Sequence, residues 1–135
     1  MMRNRSIPEC TVIPEVAYPN IGEAVQWLTD AFGFRLRIRM GDHRAQMNVG
    51  DGAVVLVTRE GLEAARPVTL VRVEELDHHY ARASIKGAKL IREPVDYPYG
   101  ERQYSVEDFA GNRWTFTESI ADVWPGDWGG EVGEL

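Results

Sequence analysis

Apolar and polar positions change their period along this chain in the same order twice. An extended run, Thr11–Tyr18, gives way to Ile21, Ala24, Val25, Leu28 and Phe32 at helical spacing. Asn20 stands where an N-cap is needed, Glu23 where the first turn favours an acid, and Gly33 where a left-handed stop is free of a Cβ clash. These signals predict a helix ending at Gly33. Phe34–Met40 then alternates apolar residues with Arg35, Arg37 and Arg39, which predicts a strand with the arginines on one face. Gly41-Asp42-His43 turns the chain into a strand over 44–49, and Gly50-Asp51-Gly52 turns it again into the apolar strand 53–57.

The order then returns. Val68–Val73 is extended, Leu76, Tyr80 and Ala83 mark a helix stopped at Gly87, Ala88–Arg92 reads as a short strand, Glu93–Gly100 as a proline-broken loop, and 102–106 and 113–118 as the closing strands. Each strand-helix-strand-strand-strand unit is too small to bury a core alone, so the pair predicts one α+β domain. The expected architecture is two βαβββ modules, about 11–59 and about 68–118, whose eight strands form an incomplete barrel with helices outside and an internal cleft. Thr58–Pro67 is a connector with a possible helical turn at Leu62–Ala65, residues 1–10 a loose leader, and 119–135 a tail. Trp124 and Trp128 in that tail are expected to bury against the body or a second subunit.

Composition narrows the classes of function. Hydrophobic residues make up 44% of the 135 positions and charged residues 27%, which is ordinary for a globular chain. The formal net charge of −6 argues against a nucleic-acid surface and favours neutral or cationic guests. No apolar run reaches the ~20 residues that span a bilayer, and no signal-peptide core is visible, so a cytoplasmic protein is expected. The single cysteine, Cys10, has no internal disulfide partner and reads as a passive thiol.

Candidate chemistry is sparse. His78 and His79 are neighbours on one helix and point about 100° apart, so they do not form a metal pair; packing or solvated roles are expected. His43 lies in a turn. No serine elbow or Cys/His pair is present. Arg113, Thr115 and Thr117 alternate with Trp114 and Phe116, so the first set faces the cleft and the aromatics pack beneath the helices, making Thr115 the leading cleft residue. Tyr97, Tyr99, Arg102 and Tyr104 cluster beside it, a combination suited to a flat or cationic small molecule.

The residues Leu76–Ala83, Gly87-Ala88, Glu93-Pro94, Tyr99–Asp108 and Gly111–Phe116, with Ala24–Phe34 in the first half, resemble the glyoxalase/bleomycin-resistance/dioxygenase superfamily, also called vicinal oxygen chelate. The resemblance covers about residues 11–118, with Phe109 where the family usually has proline. It implies a homodimer, and in the metal enzymes a divalent ion held at four strand positions that fall here on Ile13, Leu56, Val68 and Thr115. Three aliphatic chains and a hydroxyl cannot hold such an ion, and a one-residue slip in register reaches no donor either. The expectation is therefore a metal-free, cofactor-free protein that binds a small molecule, as bleomycin-resistance proteins do, through Ile13, Glu15, Leu56, Val68, Tyr99, Arg102, Tyr104 and Thr115. A lyase, isomerase or dioxygenase of the same superfamily is the alternative, and a purely structural or regulatory dimer a third class.

Overall fold

The computed structural model describes residues 4–58, 68–129 and Val132. The possible helical turn at 62–65 lies outside them. The element order is β1 (Glu15–Ala17), α1 (Ile21–Phe32), β2 (Arg35–Met40), β3 (Arg44–Val49), β4 (Gly52–Val57), then β5 (Val68–Arg72), α2 (Leu76–Ile85), β6 (Lys89–Asp96), β7 (Glu101–Glu107) and β8 (Arg113–Ser119). Each βαβββ module is one four-stranded sheet, ordered β1-β4-β3-β2 and β5-β8-β7-β6. The sheets stay open: among the described residues no ladder joins one to the other, and the eight strands do not close into a barrel.

One core runs through both modules. Val16, Leu28 and Phe32 from the first half meet Leu76, Tyr104, Trp114 and Phe116 from the second in a single buried cluster. Phe32 at the end of α1 lies edge-on to Phe116 with ring centroids 4.8 Å apart and to Trp114 at 5.7 Å. The helices pack against each other and join the two cores, which leaves the opposite face of each sheet turned outward.

The helix ends show why neither module stands alone. Asn20 caps α1 as its sequence position requires, accepting from Glu23 N at 2.9 Å, and Gly33 ends it at φ 76°. The orphan carbonyls of the last turn are then taken by α2: the Arg82 guanidinium donates to Asp30 O at 2.8 Å and Thr29 O at 3.0 Å, and His79 Nε2 donates to Phe32 O at 3.1 Å. Trp27 of α1 returns the favour, donating to Lys86 O at the end of α2 at 3.1 Å. At its start α2 has Glu75 in the left-handed region at φ 50° and no cap from that side chain. Glu118 supplies the cap from β8, accepting from Glu75 N at 3.2 Å and Leu76 N at 3.1 Å. Glu118→Ala should therefore cost about 1 kcal/mol in a urea melt, and Glu118→Gln about half of that.

Several local expectations change on folding. β6 extends through Pro94 to Asp96 in place of a loop from 93, because an edge strand with irregular register between Arg92 and Val95 needs no donor from proline. The arginine stripe of β2 is split by a register shift between Leu36 and Ile38. Arg37 reaches Gln46 Oε1 on the outward face at 2.6 Å, while Arg39 lies beside Gly22 at the start of α1. Residues 4–10 are not loose: Arg5 O accepts from Arg37 and Ser6 O from Gln46, each at 2.8 Å, and Pro8 is buried.

Candidate functional site

The two modules superpose strand for strand through their hydrogen bonds. Tyr18 N donates to Val57 O at 2.9 Å and Val73 N to Thr117 O at 2.8 Å, so Tyr18 is the counterpart of Val73 and Val57 of Thr117. Ladder register then equates Val55 with Thr115 and Glu15 with Leu70. Leu56 is thus one residue out of step with Thr115. It pairs with Val16 and Ala45 and is fully buried in the core, pointing away from the open face. Likewise Gly111 matches Asp51 more nearly than Gly52, because the β3–β4 turn is one residue shorter than the β7–β8 turn.

The expected site residues therefore separate. Thr115, Val68 and Tyr99 share the outward side of the second sheet, Glu15 lies on the outward face of the first, and Ile13 sits half-buried just ahead of β1. Tyr104 is fully buried among Phe116, Tyr80 and His79, and burial pushes its hydroxyl pKa up. Arg102 points to the helix side of its strand, where it binds both carboxylate oxygens of Asp77 at 2.9 and 3.0 Å and Asp96 at 2.7 Å. Leu56, Tyr104 and Arg102 belong to packing and to the α2–β6 contact.

What the outward face of the second sheet presents instead is a row of hydroxyls and amides. Ser105 Oγ and Thr115 Oγ1 lie 2.7 Å apart across the β7–β8 ladder. One pair further on, Gln103 donates to Thr117 at 3.2 Å, and Thr117 donates to Glu101 at 2.7 Å. Burial pushes the Glu101 carboxyl up, but hydrogen bonds from Ser119 and Thr117 and the Arg72 charge outweigh it and hold the group below its usual range. At this end Tyr97 and Tyr99 stack with centroids 5.3 Å apart, Tyr99 meets Trp128 at 5.5 Å, and Arg92 donates to the Tyr97 hydroxyl. Leu70 at 61% exposed and Val68 at 55% flank the row. Ser105, Gln103 and Glu101 follow from Thr115 only once the β7–β8 register is known.

The tail supplies part of this surface. Trp128 closes a short 3-10 turn, Pro125–Trp128, against Tyr99 and remains 47% exposed; Trp124 is 58% exposed. Within one chain Trp128 is anchored on Tyr99 without being buried, and Trp124 stays exposed.

A second, buried polar cluster has no catalytic shape. Asp108 accepts from Tyr18 Oη at 2.7 Å, Trp114 Nε1 at 3.0 Å and the amides of Ala110 and Asn112 at 3.0 Å each. Burial raises its pKa, with those four donors working against the shift, and burial also raises Tyr18 well above its ordinary range. Phe109, in place of the family's proline, stacks on Tyr18 at 5.8 Å and meets Trp27 at 5.7 Å.

A divalent ion does not fit these faces. Val55, Leu70, Val68, Ile13 and Thr115 offer no imidazole or carboxylate, Glu15 is paired with Arg44 at 3.4 Å, and among the described residues no three His, Cys, Asp or Glu side chains converge. Among the described residues, no helix is long and apolar enough to cross a membrane.

The family model described as Glyoxalase/Bleomycin resistance protein/Dioxygenase superfamily matches residues 11–116. Among solved structures, TioX from Micromonospora sp. ML1 is 31% identical, with a TM-score of 0.71 over 80% of this chain and 97% of that one. A lactoylglutathione lyase from Agrobacterium tumefaciens, 13% identical, has a TM-score of 0.67 over 84% of this chain and 96% of that one. A glyoxalase/bleomycin resistance protein/dioxygenase from Nocardioides, 20% identical, has a TM-score of 0.62 over 93% and 89%. No curated protein matches the sequence.

Proposed function

The chain belongs to the glyoxalase/bleomycin resistance protein/dioxygenase superfamily, and we propose that within it this is a metal-free binding protein for a flat, cationic or aromatic small molecule. The observation that carries the reading is the outward face of the second sheet. There the Tyr97/Tyr99/Trp128 aromatic group stands at the end of a hydroxyl and amide row that leads to an ionised Glu101. Aromatic faces attract planar cations, and a carboxylate held below its usual range stays negative while being a poor proton acceptor. That combination suits recognition better than acid-base chemistry. The enzymatic alternative needs a metal donor set or a carboxylate base that this face lacks.

Exposed Val68, Leu70 and Val95 on the same face support a homodimer in which a second copy roofs it. The proposed setting is cytoplasmic. Titrating ethidium, a planar aromatic cation, against tryptophan emission tests the reading: saturable quenching should weaken at least tenfold in the Tyr99→Ala/Trp128→Ala double variant and several-fold in Glu101→Gln. Equal affinity in parent and variants would overturn it, and catalytic turnover of a glutathione thiohemiacetal would favour the enzyme.

A further inference from the structure

The two seams where the modules meet are equivalent by pseudo-symmetry and filled differently. At one seam the β7–β8 turn meets the end of β1: Asp108 binds Tyr18, Asn112 donates to Ala17 O at 2.7 Å, and Phe109 stacks between Tyr18 and Trp27. At the other, the β3–β4 turn and the end of β5 stand on either side of a groove. The register that equates Tyr18 with Val73 also equates Trp114 with Val54, Asp108 with Val49 and Asn112 with Gly52. The turn itself shortens from Phe109-Ala110-Gly111 to Gly50-Asp51. The aromatic members of the first seam, Tyr18, Trp114 and Phe109, are thus replaced by smaller residues or deleted, while Ala17 becomes Arg72.

The space they vacate is present as a groove of about 720 Å³ whose walls include Val49, Gly50, Asp51, Gly52, Val54 and Val73. It does not include Thr115 or the tyrosine group, and it adjoins the outward face described above along Leu70 and Arg72, which line both. Leu70 and Val12 extend its apolar lining, the exposed carboxylates of Asp51 and Glu74 stand at its rim, and Arg72, also in the lining, turns its guanidinium away to Ser119 Oγ at 2.6 Å and Glu101 at 3.9 Å. A site shaped by the loss of a stacked ring pair and edged by two acids is complementary to a planar aromatic group carrying positive charge.

We propose that this second seam is a ligand site for a planar aromatic cation, which enters between the β3–β4 turn and β5 and takes the place that Phe109 and Tyr18 occupy at the first seam. The ring packs on the methyls of Val49, Val54 and Val73, and Asp51 and Glu74 face its charge. The proposal is tested separately from the outward-face reading, since the two surfaces share Leu70 and Arg72 but no aromatic residue.

Proflavine is the probe. Methyl NMR of the full chain should show saturable shifts at Val49, Val54 and Val73 that persist in the Tyr99→Ala/Trp128→Ala double variant. Val73→Phe, which returns a ring to the groove, should weaken these shifts at least tenfold while leaving the melt intact. Val49→Phe provides a second filled groove should Val73→Phe fail to fold. Asp51→Asn/Glu74→Gln should weaken binding three- to tenfold and flatten its salt dependence. Absence of shifts at these methyls, shifts confined to the Tyr99 side, or undiminished binding in the filled variants would each overturn the proposal.

Discussion

Replacing Asp108 by alanine should be the most damaging single substitution in this chain, lowering stability by about 3–5 kcal/mol and the melting temperature by roughly 10–20 °C. The carboxylate takes four donors at once, two from backbone amides of its own turn and two from the buried side chains of Tyr18 and Trp114. Without it the Tyr18 hydroxyl and the Trp114 indole N–H are buried with no acceptor, and each carries a desolvation cost that packing cannot return. Tyr18 comes from the first module and Trp114 from the second, so the loss falls on the joint between them. Asp108→Asn keeps one accepting oxygen and should lose about half as much. Chemical denaturation measures both; a melt within ~3 °C of the parent for the alanine variant would show that the cluster is already satisfied by water.

Acid sensitivity should trace to His79. Its Nε2 donates to Phe32 O and its Nδ1 accepts from the Tyr104 hydroxyl, so the half-buried ring is held neutral. Burial lowers its pKa from 6.5 to about 4; the bond to Phe32 opposes the shift and the Arg82 charge adds to it. Between those values the unfolded chain binds the proton more readily than the folded one, so stability is complete above pH 6.5 and falls as pH drops to about 4, by roughly 3 kcal/mol in all. Asp108, held above its ordinary value, contributes in the opposite sense, so comparison with the His79→Gln protein isolates the imidazole. Urea midpoints at pH 7 and pH 4.5 should converge in that variant and stay apart in the parent. Equal pH slopes would remove the assignment.

Local chemistry explains what was legible in the chain beforehand. The N-cap at Asn20, the stop at Gly33 and the outward setting of Thr115 depend on residues within a few positions, and alternation along a strand reveals them. Leu56 falls out of step with Thr115 because a single residue of difference between two turns shifts every later side chain to the other face. Tyr104 and Arg102 alternate with the outward residues, yet their roles follow from His79 and Asp77, which lie 25 residues away. Asp108 shows only as the end of a family-like segment, since the partner that makes it central is Tyr18, 90 residues upstream. The packed course of residues 4–10 rests likewise on Gln46 and Arg37.

The mutual capping of the two helices also sets an order of events during synthesis. His79, which takes the last carbonyl of α1, lies 47 residues downstream of Phe32. At ribosomal rates of about 5–20 residues per second, the first half emerges roughly 2–10 s before the groups that finish its helix exist. Through that interval Phe32 has neither Trp114 nor Phe116 to cover it, so the nascent chain carries an aromatic end that a chaperone can hold and a neighbouring polysome can trap.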